Sequence, residues 1–306
     1  MFRSTPTTTA LLGAALLSAG HAGAETIFVL EDVGTSQQLY SIDDASPESI
    51  SPRVSISGIG EGNELLGIDF RPATGELYGL TSSDAIYTID TATGASTLVG
   101  SGFSDRPAGT FYGFDFNPVI DRIRIVADVD TNFVANPNNG DANVADTTSL
   151  FFADGDVNAG VDPNVVGAAY TNSVADAETT QLYGIDSMLN ILVTQANNAG
   201  TLETVGDLGV DVVDILEFDI SGATGRAYLA AIERGNTDST LYTVDLSTGA
   251  ATRVGDFSDA TGSTVAGIAV APGAANPVAA VPTPAALPFG LALLGGLTLR
   301  RRNAGA

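Results

Sequence analysis

The chain has no cysteine, no lysine and no tryptophan, and its one histidine, His21, falls within the first two dozen of 306 residues. Each absence removes a chemistry. Without cysteine there is no disulfide and no thiolate nucleophile. Without histidine beyond residue 24, neither a Ser-His-Asp nor a Cys-His system can be assembled. Ordinary zinc and copper sites rest on imidazole and thiolate, and they go too. A chain without lysine forms no Schiff base and has no phosphate-loop lysine. No stretch of residues 25–272 keeps a helical apolar period. Carboxylates, amides, hydroxyls and a few guanidinium groups remain.

Carboxylates dominate. All 36 acidic residues, 26 Asp and 10 Glu, lie between Glu25 and Asp259. Eight arginines share that stretch (53, 71, 106, 122, 124, 226, 234 and 253), so 36 negative charges against eight positive leave −28. Such a surface repels nucleic acid and anionic lipid, which excludes both as partners of the domain. Two explanations stay open. One is an acidic coat that keeps the protein soluble in salty surroundings; the other is calcium binding through oxygen ligands.

The ends differ from this acidic body. Residues 1–24 hold Arg3, an apolar run over 11–20 too short to span a bilayer, and the small-residue sequence Ala22-Gly23-Ala24. In that order they read as a secretory signal, cut after Ala24 by signal peptidase, so the mature chain is expected to start at Glu25. Residues 273–284 are small and Pro-rich, as in a flexible linker. Within residues 285–306, an apolar run over 285–299 stops at Arg300, Arg301 and Arg302; it is expected to lodge in the membrane with the arginines on the cytoplasmic side. Val281-Pro282-Thr283-Pro284-Ala285, the apolar run and the arginine cluster together resemble the PEP-CTERM class of sorting signals, most closely the VPLPA variant. Thr283 stands where that variant usually has Leu, and no Glu lies between the prolines. The resemblance implies export, processing by an exosortase-type enzyme, and residence in the cell envelope, at the cell surface or outside it.

Between the ends the sequence repeats. GIDFRPATGELYGL (67–80) with IYTIDTATGASTLVG (86–100) returns as EFDISGATGRAYLA (217–230) with LYTVDLSTGAATRVG (241–255). Partial copies lie at 38–43, 113–127, 167–172, 181–186 and 267–272. Val, Ile, Tyr, Thr and Phe fill the short strands. Asp90 with Thr93-Gly94, and Asp245 with Thr248-Gly249, mark tight hairpins in which glycine takes positive φ. Successive intervals along Asp69, Asp115, Ala169, Asp219 and Ala269 are 46, 54, 50 and 50 residues, the length of a four-stranded propeller blade. Complete units open near residues 67, 113, 165 and 215. One strand (264–271) is left over at the end and three (26–31, 37–43, 50–57) at the start. Joined, they make a fifth blade and remove two free edges. The expectation is an all-β, five-bladed β-propeller over residues 25–272, four strands to a blade, with the last strand completing the first blade. A six-bladed ring is the alternative.

The same residues carry a family resemblance. GIDFRPATGELYGL, IYTIDTATG, YGFDFNPVIDRIRIV and VVGAAYTN resemble the bacterial domain of unknown function numbered 4394, over residues 35–272. The resemblance implies an exported, propeller-like domain and implies no activity.

Three sets of residues are candidate sites. Alignment of the opening strands puts Asp69, Asp115 and Asp219 at one blade position, where three carboxylates can converge on the axis. Carboxylates alone can run glycoside hydrolysis, given one acid with a raised pKa. Alternatively, each bonds backbone amides at the start of its blade. Asp128, Asp130 and Asn132, and then Asp154, Asp156, Asn158 and Asp162, have the alternating oxygens of half a calcium loop. Asn139 and Val165 stand where such loops have their closing Glu, so solvated turns are the alternative. Arg122 and Arg124 share one face of a strand and are expected to pair with nearby carboxylates rather than bind an anion.

These features point to a non-enzymatic cell-surface or matrix protein whose propeller is a structural or ligand-binding module. Its expected partners are envelope polysaccharide or another surface protein, with calcium as the one cofactor to test and the tail in the membrane before processing. The alternative is a carboxylate-based glycan hydrolase or lyase on the axial trio.

Overall fold

A computed structural model describes residues 24–103, 107–142, 145–257 and 264–273. Residues 1–23 of the signal segment, Ala22 among them, the sorting residues 281–285 and the arginines 300–302 lie outside the described residues.

Strand-forming runs broken by Asp/Thr/Gly turns fold into successive antiparallel meanders. The first holds β1 (Thr26–Val33), β2 (Ser36–Asp43), β3 (Ser46–Ile50) and β4 (Val54–Ser55); the second β5 (Leu65–Phe70), β6 (Leu77–Thr81), β7 (Ala85–Ile89) and β8 (Ser96–Val99). The third holds β9 (Tyr112–Asn117), β10 (Arg122–Ala127) and β11 (Thr131–Ala135). The fourth holds β12 (Phe151–Phe152), β13 (Val165–Tyr170), β14 (Leu182–Asp186), β15 (Ile191–Gln195) and β16 (Thr201–Asp207). The fifth holds β17 (Val212–Ile220), β18 (Ala227–Glu233), β19 (Ser239–Val244) and β20 (Ala251–Asp256). The last strand, β21 (Thr264–Val270), returns to the first sheet and pairs with β1, Ile27 opposite Val270 and Phe28 opposite Ala269. The opening strands pack side by side in the cycle β5, β9, β13, β17, β21 and back to β5, so the ring closes with five blades, not six.

The turns form as their residues dictate. Asp90 Oδ1 accepts the N–H groups of Ala92 and Thr93, each at 2.9 Å, and Gly94 takes φ +73°. Asp245 and Gly249 repeat the arrangement.

The third blade departs from four strands. After β11 the chain reads Asn136-Pro137-Asn138-Asn139-Gly140-Asp141, where proline lacks a donor and Gly140 N–H closes a turn on the Asn136 carbonyl at 2.9 Å. The next short strand, β12, pairs in parallel with β16 instead, giving sheets of three and five strands.

Apolar side chains gather at the five seams between blades. At the seam of the second and third blades, Tyr78, Leu80 and Ile86 pack against Phe114, Phe116 and Ile125. At the seam that joins the chain's two ends, Ile27, Val29 and Ile268 meet Tyr228 and Leu241. Each large apolar side chain so buried contributes roughly 1.5–3 kcal/mol. The opening strands, buried on both faces, are correspondingly apolar and rich in small residues.

Candidate functional site: the propeller axis

Each opening strand brings one residue to the axis at the same register: Asp69, Asp115, Ala169, Asp219 and Ala269. The residue after it presents a backbone N–H that needs an acceptor. Asp69 Oδ2 accepts that of Phe116 at 2.8 Å, Asp115 Oδ1 that of Tyr170 at 3.0 Å, and Asp219 Oδ2 that of Val270 at 2.6 Å. Each bond therefore crosses one seam, from blade to following blade. Two seams begin with alanine, which has nothing to offer. There the following blade's own aspartate accepts: Asp219 Oδ1 takes Ile220 N–H at 2.6 Å, and Asp69 takes Phe70 N–H. Three carboxylates thus serve all five amides.

The same geometry makes the aspartates converge. Their oxygens lie within 4.8 Å of one another, and the residues are 1–4 % exposed. Burial raises all three pKa values above the usual carboxylate range. The charge of Asp219 adds to the rise at Asp69, and those of Asp69 and Asp219 add to it at Asp115. Asp219 is pushed up to about 6 by burial, reinforced by Glu25. The trio titrates as a unit, and a proton on it at mild acidity is chemically reasonable. Among the described residues it is the one carboxylate group gathered closely enough to hold a metal ion, and its all-oxygen character would suit a hard cation.

The two oxygen-rich loops are arranged otherwise. Asp154, Asp156 and Asp162 do not gather, and Asp154 and Asp162 point to solvent. Asp156 is occupied: its oxygens accept Asn158 N–H at 2.8 Å, Thr204 N–H at 2.7 Å and the Thr204 hydroxyl at 2.8 Å, clipping the loop to β16. Asn158 Nδ2 donates to the same hydroxyl at 3.0 Å. In the other loop, Asp128 accepts Thr110 N–H at 2.7 Å, while Asn132 is buried and donates to the carbonyls of Thr148 and Asn197. Asp130 keeps one buried, unbonded oxygen, and burial raises its pKa.

The expected arginine–carboxylate pairs are replaced by bonds to neutral oxygens. Arg124 is buried and donates to Asn132 Oδ1, to Asn198 Oδ1 at 2.7 Å and to the Tyr170 hydroxyl at 3.3 Å. Arg122 donates to the Asp121 carbonyl at 2.7 Å.

One axial residue escaped the sequence reading. Two positions before the aligned aspartates, the opening strands have Gly67, Gly113, Gly167, Glu217 and Gly267. A Cβ at Gly113 would lie 2.5 Å from Ala168 N, and one at Gly267 would lie 2.8 Å from Ile68 Cγ1, so four strands need glycine to approach so closely. The fifth carries a glutamate. The alignment that found the aspartates, read two residues earlier, contains that exception. Glu217 lies at the channel's other end, in a cavity of 210 Å³ formed where the opening strands begin.

A closed ring of five antiparallel blades with a carboxylate-clasped axis defines a five-bladed β-propeller. Within that class the chain belongs to the DUF4394 family, described as a domain of unknown function, which matches residues 38–269. No curated protein matches it. Among solved structures it is similar to Myxococcus xanthus glutaminyl cyclase, at 13% identity over 71% of this chain and 87% of that one, with a TM-score of 0.43. It is also similar to Kuenenia stuttgartiensis hydrazine synthase (13% identity, 66% and 49% of the two chains, TM-score 0.36). A third is the WD40 domain of Toxoplasma gondii coronin (10% identity, 77% and 59%, TM-score 0.36). The chain spans about half of the hydrazine synthase chain and 59% of the coronin domain. Scores this low say nothing of its chemistry.

Proposed function

We propose that this protein is an exported, non-enzymatic propeller of the cell envelope, a rigid binding or structural module sorted through its C-terminal tail. The observation that carries the reading is the occupation of the axial trio. Its carboxylates, among the described residues the one closely gathered acidic set, are buried and bonded to the amides that hold neighbouring blades. A second observation supports the processed start. Glu25 N–H donates to buried Asp44 Oδ1 at 2.8 Å. In a chain cut after Ala24 that nitrogen is an ammonium, and the bond becomes charge-assisted.

The alternative, a glycan hydrolase or lyase, draws on the convergence of the trio and on the raised pKa of Asp219. The full chain, produced in an exosortase-containing host, separates the two. The expected outcome is recovery in the envelope fraction, a mature N-terminus at Glu25 by mass spectrometry, and no sugar released from envelope polysaccharide. Saturable sugar release, lost in an Asp115→Asn variant with wild-type circular dichroism, would replace this reading with the enzymatic one.

A further inference from the structure

The channel mouth around Glu217 has features that the axial trio lacks. Among the described residues nothing hydrogen-bonds the Glu217 carboxylate. It is partly buried and lines the cavity. An unbonded carboxylate in such a place is costly unless something positive arrives. Its neighbour in charge is Asp32, which is held by one bond from Gln37 Nε2 at 2.8 Å. Glu64 and Asp214 complete the rim, and among the described residues no arginine lines the cavity. Asp214 is fixed by Asn164 Nδ2 at 2.9 Å and the Ser187 hydroxyl at 2.6 Å. Among the described residues every charge on the wall is negative, and between the charges lie apolar side chains, Leu66, Phe111 and Ile215.

We propose that this mouth is a binding site for an alkylammonium group, its charge between Glu217 and Asp32 and its hydrocarbon stem against Leu66, Phe111 and Ile215. The proposal deepens the reading of the propeller as a binding module and rests on it. A divalent metal ion fits less well. The mouth carboxylates are not gathered within 4.8 Å of one another, unlike the axial trio, and a hydrated ion gains nothing from apolar walls. A cation with an apolar stem uses both features of the site. The titration of Glu217 agrees. Burial, then the charge of Asp32, push its pKa well up, so the empty carboxyl tends to hold a proton. An arriving ammonium displaces it, and binding tightens as pH rises toward the amine's own pKa. Asp32, whose pKa burial also raises, faces the same space and acts in the same sense, and Asp214 and Glu64 line that space beside it.

The ammonium group can belong to a free amine or to a lysine side chain on a partner protein. Calorimetric titration of the purified protein with n-butylamine, putrescine and Nα-acetyl-lysine methylamide tests the site and distinguishes the sources. The expected result is saturable binding of at least one probe. It should be weakened at least tenfold in Glu217→Gln and unchanged in Glu48→Gln, which alters an exposed charge on the first blade. Preference for the lysine amide would assign the site to a protein partner, and preference for putrescine or butylamine to a free amine. Should Glu217→Gln misfold by circular dichroism, Asp32→Asn provides the same comparison. No saturable binding by any probe, binding indifferent to both substitutions, or calcium displacing the amine through Glu217 would overturn the proposal. Envelope recovery and the absence of sugar release are read separately, so the module reading can survive the loss of this site.

Discussion

At the scale of single residues, the axial aspartates hold the blades together at a cost in charge. Burial raises the pKa values of Asp69, Asp115 and Asp219, so the folded protein keeps protons that the unfolded chain releases. Unfolded aspartate titrates near ~3.9. Between that value and the folded one, about 6 for Asp219, the folded state binds more protons, and stability therefore falls as pH rises. The expected outcome is a protein that resists urea better at pH 5 than at pH 7, with Asp219 contributing on the order of 1 kcal/mol to that difference. Relief of general self-repulsion acts in the same direction. Asp219→Asn isolates the local part: it should flatten the slope between pH 5 and 7. An unchanged slope would show that the trio titrates like surface carboxylates. Alignment of the repeats was enough to place these three residues at one register. It could not show that each reaches the following blade, because that bond depends on how opening strands pack across a seam. Arg124 was misjudged for a similar reason: its partners Asn132 and Asn198 lie on different blades, 8 and 74 residues away.

At the scale of elements, turns were legible and edges were not. An Asp-x-x-Thr-Gly hairpin needs only its own residues, so Asp90 and Asp245 announced theirs locally. The pairing of β12 with β16 depends on tertiary contact between segments 50 residues apart, and a two-residue strand has no period to read. The acidic loop over residues 154–162 was ambiguous in the same way. Alternating carboxylates suit a calcium ion or a network of turns, and the partner that decides for Asp156 is Thr204, 48 residues on. The glycines of the opening strands give the sharpest contrast. Gly75 has φ +73° and open space around it, so alanine there meets only backbone strain of about 1–2 kcal/mol. Gly113 has an unremarkable φ, but its Cβ would strike the backbone of β13 at 2.5 Å. Overpacking typically costs ~1–3 kcal/mol and occasionally more, and backbone yields less readily than a side chain. Denaturant titration should therefore rank Gly113→Ala below Gly75→Ala in stability. The reverse order would mean that the strands can part without loss.

At the scale of the whole molecule, the fold depends on joining its two ends. Counting leftover strands predicted that β21 completes the first blade, because an unpaired β1 and an open ring would expose strand edges. The structure adds a second clasp: the Glu25 carboxylate, at the start of the described strands, accepts from the hydroxyls of Ser221 and Thr224, and the Tyr228 hydroxyl lies 2.8 Å from it. No sequence pattern marked that clasp, since it joins residues about two hundred positions apart. β21 buries Val265, Ile268 and Val270 at the closing seam and supplies the Val270 N–H that Asp219 accepts. Three such side chains are worth roughly 5–9 kcal/mol, comparable with the net ~5–15 kcal/mol of a whole domain. A chain ending at residue 273 should then unfold in one cooperative transition, whereas one ending at residue 257 should show none. Addition of a peptide of residues 261–273 should restore the transition in proportion to its concentration, as binding to the folded state alone requires. A cooperative transition in the shorter chain without peptide would mean that four blades and an open edge are sufficient. The closing strand would then be an addition to the ring rather than a condition for it.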